Sequence, residues 1–229
     1  MSGTLKFMKD KPYAICCEGA DEYYFLCWYL EYLIKNEPDH FQDRYCILDL
    51  GGIDEMKKRF SSIRKIPDYS SVRSLLFVRD AETDVQGTIY GLCSSMKREW
   101  GIESNATGAF KTGTDRVKVG FYLFPDQDLY GAFKNGTLED LLVQLYKLPP
   151  EEVISVTALK SKTDVFIREL EKSRNKQMKT VHKNRLHLLL DCTDSFVGLK
   201  IGEAAKAHAY DFGHPLLDGL KKRIWEMQV

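Results

Sequence analysis

This chain of 229 residues has no surplus of either charge: 33 lysines and arginines stand against 33 aspartates and glutamates. A protein that grips duplex DNA chiefly through its phosphates carries an excess of basic residues. Global attraction to a polyanion is therefore excluded, and any contact with DNA or RNA has to come from a local basic face or from bridging metal ions. There is no CxxC pair among the six cysteines, Cys16, Cys17, Cys27, Cys46, Cys93 and Cys192. Most lie in apolar runs, where cysteine acts as a small hydrophobe. That excludes a disulfide framework and points to a reducing, cytoplasmic setting. No HExxH or regular Cys/His spacing links His182, His187, His208 and His214, so no zinc is expected. No GxxxxGK[ST] occurs, which removes an ATPase of that type; Gly51-Gly52 is not GxGxxG and reads as a structural turn. No apolar stretch reaches membrane-spanning length, and Met1 to Lys11 lacks the apolar core of a signal peptide.

What is present is a core-forming composition, 44% hydrophobic, arranged as alternating strands and helices. Tyr13 to Cys17, Tyr45 to Leu50, Ser74 to Val78 and Val117 to Phe124 read as buried strands. Leu186 to Leu190 fits either a fifth strand or a helical turn. Apolar residues at helical spacing predict helices over Asp21 to Ile34, Asp54 to Ile66, Asp84 to Trp100 and Thr137 to Tyr146. The aromatic cluster Tyr23, Tyr24, Phe25, Trp28 and Tyr29 encircles its helix, which suggests core plus a contact surface, such as a homodimer interface. Gly101 to Gly113 reads as a loop. Pro149-Pro150-Glu151-Glu152 reads as a helix opening. The expected organisation is an α/β core over residues 1–148, with a mostly parallel central sheet flanked by helices. A mainly helical C-terminal part, 149–229, packs on the same domain. The basic run from Lys172 to Arg185 reads as a solvated helix face, with nucleic-acid contact as the alternative.

The acids are informative by position. Strand one ends in Glu18-Gly19, strand two in Asp49-Leu50-Gly51-Gly52, strand three in Arg79-Asp80-Ala81-Glu82-Thr83-Asp84. The carboxyl ends of parallel strands share one edge, where ligand sites form. Glu18, Asp80, Glu82 and Asp84 are thus expected to converge, and clustered carboxylates are tolerable around a hard cation such as Mg²⁺. The bland alternative is that Asp21, Glu22 and Asp84 only complement helix dipoles.

The run Ile15 to Leu26, with its Glu18-Gly19 turn, resembles the opening motif of TOPRIM domains. Ile47 to Gly52 resembles their second strand, and Leu75 to Glu82 their third, with the Asp-x-Asp element. The likeness is nearest to the TOPRIM domains of OLD-type nucleases and their small stand-alone relatives. Phe121 to Asp126, Gly131, Gly136 to Leu142, Lys183-Asn184-Arg185, Ile201 to Ala205 and Tyr210 to Leu216 extend it across most of the chain. The resemblance implies a Rossmann-like TOPRIM fold that uses Mg²⁺ or Mn²⁺ for phosphoryl transfer on nucleic acid. It implies Glu18, Asp80, Glu82 and Lys183 as catalytic residues, with Lys179 a rival for the lysine. Glu18, Glu22, Asp80, Glu82, Asp84 and Glu139 are the implied metal ligands, with Asp21 a rival to Glu22 and Asp140 a neighbour of Glu139. Glu22 and Glu82 depart from the family's aspartates by one methylene each, which alters reach at a metal strict about geometry. Two other functions compete with a metal-dependent nuclease. One is a non-catalytic TOPRIM-like module binding nucleic acid, a nucleotide or a protein. The other is a flavodoxin-like or Rossmann-like domain holding a phosphorylated ligand at Gly51-Gly52.

Overall fold

The computed structural model describes residues 5–103, 105–126, 132–152 and 154–229; Gly131 of the resembling segment lies outside them. Five strands are present among these residues: β1 (Tyr13–Cys17), β2 (Tyr45–Asp49), β3 (Ser74–Asp80), β4 (Lys111–Thr112) and β5 (Lys118–Phe124). They form one sheet in the order β2-β1-β3-β5-β4. The first four are mutually parallel, and β4 alone runs antiparallel, to β5. Parallel strands buried on both faces read as unbroken apolar runs. β1 is YAICC and is buried throughout.

Among the described residues eight α-helices accompany the sheet: α1 (Ala20–Asn36), α2 (Ile53–Phe60), α3 (Val85–Trp100), α4 (Leu138–Leu145), α5 (Val156–Arg174), α6 (Val181–Asp191), α7 (Ile201–Lys206) and α8 (Asp218–Glu226). The α/β class, the mostly parallel sheet and the flanking helices are as the sequence predicts. Phe77 of β3 stacks on Phe60 of α2 at 4.3 Å between ring centroids and meets Trp100 of α3 at 5.7 Å. The opposite face of the sheet presents Phe124 of β5 to Phe25 of α1. The aromatic ring of α1 is largely consumed here: Phe25 and Tyr29 pack on Phe212, and Tyr24 remains half exposed.

Several elements differ from expectation. Leu186 to Leu190 is helical, within α6, and the fifth strand is instead the two-residue β4 inside the supposed loop. Pro149 to Glu152 opens no helix. α5 starts at Val156, where the Ser155 hydroxyl accepts the Ala158 N–H at 3.2 Å. A proline disfavours helical backbone in the residue before it, so Pro150 keeps Pro149 out of a helix. α2 stops at Phe60, and Ile63–Lys65 is a separate 3-10 turn. The basic run is not one helix face, because α5 ends at Arg174 and Asn175 turns left-handed before α6. His214 does start a short helix, its ring nitrogen accepting the Leu216 N–H at 3.2 Å.

α7 lies close on α1 because Gly202 has no side chain. A Cβ there would collide with Cβ of Tyr24 and stand 2.9 Å from its Cγ. Gly91 in α3 faces open space. Gly202→Ala is expected to destabilise the chain by about 1–3 kcal/mol through overpacking. Gly91→Ala is expected to stabilise it by about 0.5–1 kcal/mol. Urea unfolding of the two variants beside the parent checks both signs.

Candidate functional site

The sheet order reverses direction at β1, which has β2 on one side and β3 on the other. Such a switch point leaves a crevice at the carboxyl ends of the strands. The parallel register pairs Cys17 with Val78, so the next residues, Glu18 and Arg79, emerge side by side. Arg79 Nε lies 3.3 Å from Glu18 Oε2, and both side chains are largely buried. The pair is misaligned for a hydrogen bond, and these two atoms have no hydrogen-bond partner among the described residues. The Gly51-Gly52 turn supports Glu18 from β2. Both glycines have positive φ, and Gly52 N–H donates to Glu18 O at 2.6 Å. Gly51 N–H donates to Asp49 Oδ1 at 2.7 Å, so both amides are spent inside the protein. The structural-turn reading holds.

Successive strand residues face opposite sides of a sheet. Asp80 therefore turns away from Arg79, onto the face of α1 and α4. Its Oδ1 accepts the Leu138 N–H at 2.8 Å, satisfying one of the orphan amides that open α4. A reciprocal pair of backbone bonds between Glu82 and Gly136, each 2.8 Å, ties the end of β3 to the approach to α4. On α1, Glu22 Oε2 accepts the Gly19 N–H at 3.0 Å. Glu139, in the first turn of α4, is buried and faces Lys183 of α6, with Nζ 3.0 Å from its Oε1. Lys183 also lies 3.5 Å from Asp21 Oδ2. Lys179 is exposed and makes no ion pair among the described residues, which leaves Lys183 as the lysine at the acids.

These groups act on one another's protons. Burial, then the Glu18, Asp21 and Glu139 charges, push the Glu22 carboxyl up to about 7, against the opposing backbone hydrogen bond. Asp80 is pushed well above the usual carboxylate range by burial, Glu22, Glu139 and Glu18, despite the Leu138 N–H. Burial also raises Glu18; Arg79 opposes this and Glu82 adds to it. Burial would raise Glu139 too, but hydrogen bonds from Lys183 and the backbone hold it below its ordinary value. Burial alone would lower Lys183, and Glu139 and Asp21 reverse that and raise it.

Glu18, Glu22, Asp80, Glu139 and Lys183 are thus brought together. Glu82 stays at the rim, exposed and with a left-handed backbone at φ 58°. Asp84 takes no part. It is exposed, and its carboxylate caps α3 by accepting the Gly87 N–H at 2.9 Å, the helix-start role. Asp140 likewise serves its own helix, accepting the Thr137 N–H at 3.0 Å. No group of three or more His, Cys, Asp or Glu side chains among the described residues is arranged as a ready metal cage. Two neighbours carried no role in the sequence reading. Arg79 is one; its signal was a lone cation ending an apolar strand. The other is Tyr210, buried and influenced by Asp21, Tyr146 and Glu139, its hydroxyl unpartnered among the described residues.

Fold and site define a Rossmann-like α/β protein with an acidic crevice at the carboxyl edge of its sheet. The chain belongs to the family described as protein of unknown function DUF3226, whose model matches residues 12–224 and so spans every acid of the crevice. Neither the curated proteins nor the solved structures offer a match to it. Among the described residues no helix is long and apolar enough to cross a membrane.

The Glu22 carboxyl binds its proton more tightly folded, at about 7, than at its ordinary value of 4.5. Its contribution to stability is full below about pH 4.5 and is lost as pH rises through about 7. Glu22→Gln keeps an acceptor for Gly19 and removes the titration. Denaturant unfolding between about pH 5 and about pH 8 should show the parent losing on the order of 1–3 kcal/mol more than the variant. Parallel pH profiles would contradict the assignment.

Proposed function

We propose that this chain is a TOPRIM-type protein that processes phosphodiester bonds of nucleic acid with Mg²⁺ or Mn²⁺, in the cytoplasm. One observation carries the reading: carboxylates, two buried and two half-buried, outnumber cations at the switch-point crevice. Glu18, Glu22, Asp80 and Glu139 come from three separate segments, and among the described residues only Arg79 and Lys183 pair with any of them. The residues fit a hard cation. Three of the four carboxyls are held above their ordinary range by burial and by one another, and Glu18 Oε2 has no hydrogen bond among the described residues. Glu18, Glu22, Asp80 and Glu139 would hold the ion, with Glu82 reaching from the rim. When bound, the ion supplies Lewis-acid polarisation of a phosphodiester.

The chain's own residues do the positioning. Arg79 holds Glu18 against β3, and Asp80 is fixed by the first turn of α4. Lys183 sets a positive charge at the acids, where it offsets the negative charge of a phosphoryl group under attack. Six free cysteines support a reducing compartment.

A second reading, a non-catalytic module, draws on a different observation. Glu18, Glu22, Asp80 and Glu139 each already have an internal partner, and no ready cage exists among the described residues.

Thermal unfolding with added Mn²⁺ separates the two. The enzyme reading expects stabilisation of about 2.7 kcal/mol when free Mn²⁺ is about 100 times its Kd. Asp80→Asn, which keeps an acceptor for Leu138, should abolish it together with Mn²⁺-dependent cleavage of single-stranded DNA or RNA. Absence of both stabilisation and cleavage in the parent would sink that reading. Nucleic-acid binding by the parent chain with neither Mn²⁺ stabilisation nor cleavage would favour the module.

A further inference from the structure

The opposite edge of the sheet, where β3 and β5 begin, carries the reverse charge. Ser74 pairs with Lys118 in the parallel register, and Lys118 N–H donates to Arg73 O at 2.9 Å, so Arg73 and Lys118 lie side by side. Arg116 stands on the turn between β4 and β5. Its φ of 67° is left-handed, a conformation that costs a non-glycine residue about 1 kcal/mol. These three cations line a cleft of 470 Å³ beside Tyr13. A second cleft, of 390 Å³, adjoins it and shares Val72 and Arg73; Lys9, Arg44 and Ser70 line that one. Arg44 sits 5.1 Å from the ring centre of Tyr13, and so joins the two.

One aspartate lines each cleft. Asp115 lines the first cleft but is engaged by Arg64 Nε at 3.0 Å and by the Tyr69 hydroxyl at 2.7 Å. Asp10 lines the second without an ion pair among the described residues, and Lys9 there pairs at 3.7 Å with Asp68. Arg73, Arg116 and Lys118 have no acidic partner among the described residues. The chain's neutrality therefore conceals a segregation of charge along the strands.

We propose that this trough binds a ligand carrying at least two phosphate groups, one in each cleft, with Arg73 between them. A guanidinium presents a planar fork of donors that matches phosphate oxygens and reaches neighbouring groups at once. Three cations without an acidic partner among the described residues in one cleft, and Arg44 beside Arg73 in the next, exceed what one monophosphate neutralises. The ligand is either a stretch of polynucleotide backbone or a small diphosphate. The trough is separated from the carboxyl-edge acids by the length of β3, seven residues, about 20 Å. It stands or falls independently of the metal site.

Isothermal titration of the full chain, free of divalent metal, with inorganic phosphate, pyrophosphate and a single-stranded oligodeoxynucleotide tests this. Pyrophosphate or the oligonucleotide should bind at least about tenfold tighter than inorganic phosphate. Arg73→Gln and Lys118→Gln should each weaken that binding about tenfold, as expected for a lost charge-assisted contact. Asp80→Asn should leave it unchanged. Arg116→Gly removes a cation while relaxing a left-handed backbone, so it should weaken binding without lowering the unfolding temperature. If the oligonucleotide is the tighter ligand, the site takes a polynucleotide, and the log–log salt dependence should fall by about 0.7 per cation removed. If pyrophosphate is tighter, it takes a small diphosphate. Failure of both pyrophosphate and the oligonucleotide to bind tighter than inorganic phosphate, no binding of any probe, or undiminished binding by Arg73→Gln and Arg116→Gly would each overturn the proposal.

Discussion

The pairing of β1 with β3 is the constraint on which the rest of this structure depends. Both strands are apolar on both faces, so a slip of one residue would bury as much hydrophobic surface as the observed register. In a half-exposed sheet the alternating pattern forbids such a slip; here it has no say. The polar residues at the strand ends supply what the pattern does not. Arg79 meets Glu18, and Asp80 meets the first turn of α4, only when Cys17 stands opposite Val78. At the other end the Ser74 hydroxyl donates to Met227 O at 2.7 Å, anchoring β3 to the segment after α8. The charged groups of the crevice therefore serve the fold before they serve any ligand.

That double duty explains why five polar groups converge without forming a cage. The pleat sends Arg79 and Asp80 to opposite faces, and Glu18 follows Arg79. Glu22, Glu139 and Lys183 lie on the Asp80 side, supplied by α1, α4 and α6. The acids are close enough to raise one another's proton affinity, yet each keeps a private partner. A cation entering the crevice would compete with one bond per carboxylate and relieve the repulsion among several.

Legibility followed the physics of each signal. β1, β2, β3 and β5 are continuous apolar runs bounded by polar turns, which a sequence declares openly. Thr137 before a leucine-rich repeat of helical spacing declares α4. Leu186 to Leu190 is too short for periodicity to separate strand from helix. Only its packing, with Leu186, Leu189 and Leu190 buried, settles it. β4 is two exposed residues that exist because β5 offers them an edge. Strand-end logic reached Glu18 and Asp80, whereas Glu22 and Glu139 entered through the resemblance alone. Asp84 was overread because a helix cap and a ligand look alike in sequence. The ion pair of Arg79 and the approach of Tyr210 were invisible, since each depends on residues far apart along the chain.

The two glutamates that stand where the resembling family has aspartates now separate in meaning. The longer side chain of Glu22 folds back to its own helix start, and a Cβ on Gly19 would sit 3.2 Å from Glu22 Oε2. The extra methylene thus goes into a capping contact, and a glycine before it leaves the room. One carboxylate oxygen is committed there and the other is not, so capping and cation binding are compatible in Glu22. Glu82 has no such tether on its side chain; its backbone is held to Gly136 while the carboxylate reaches out from the rim. Glu22 is thus a buried acid tethered to its helix start, and Glu82 an exposed one held only through its backbone among the described residues.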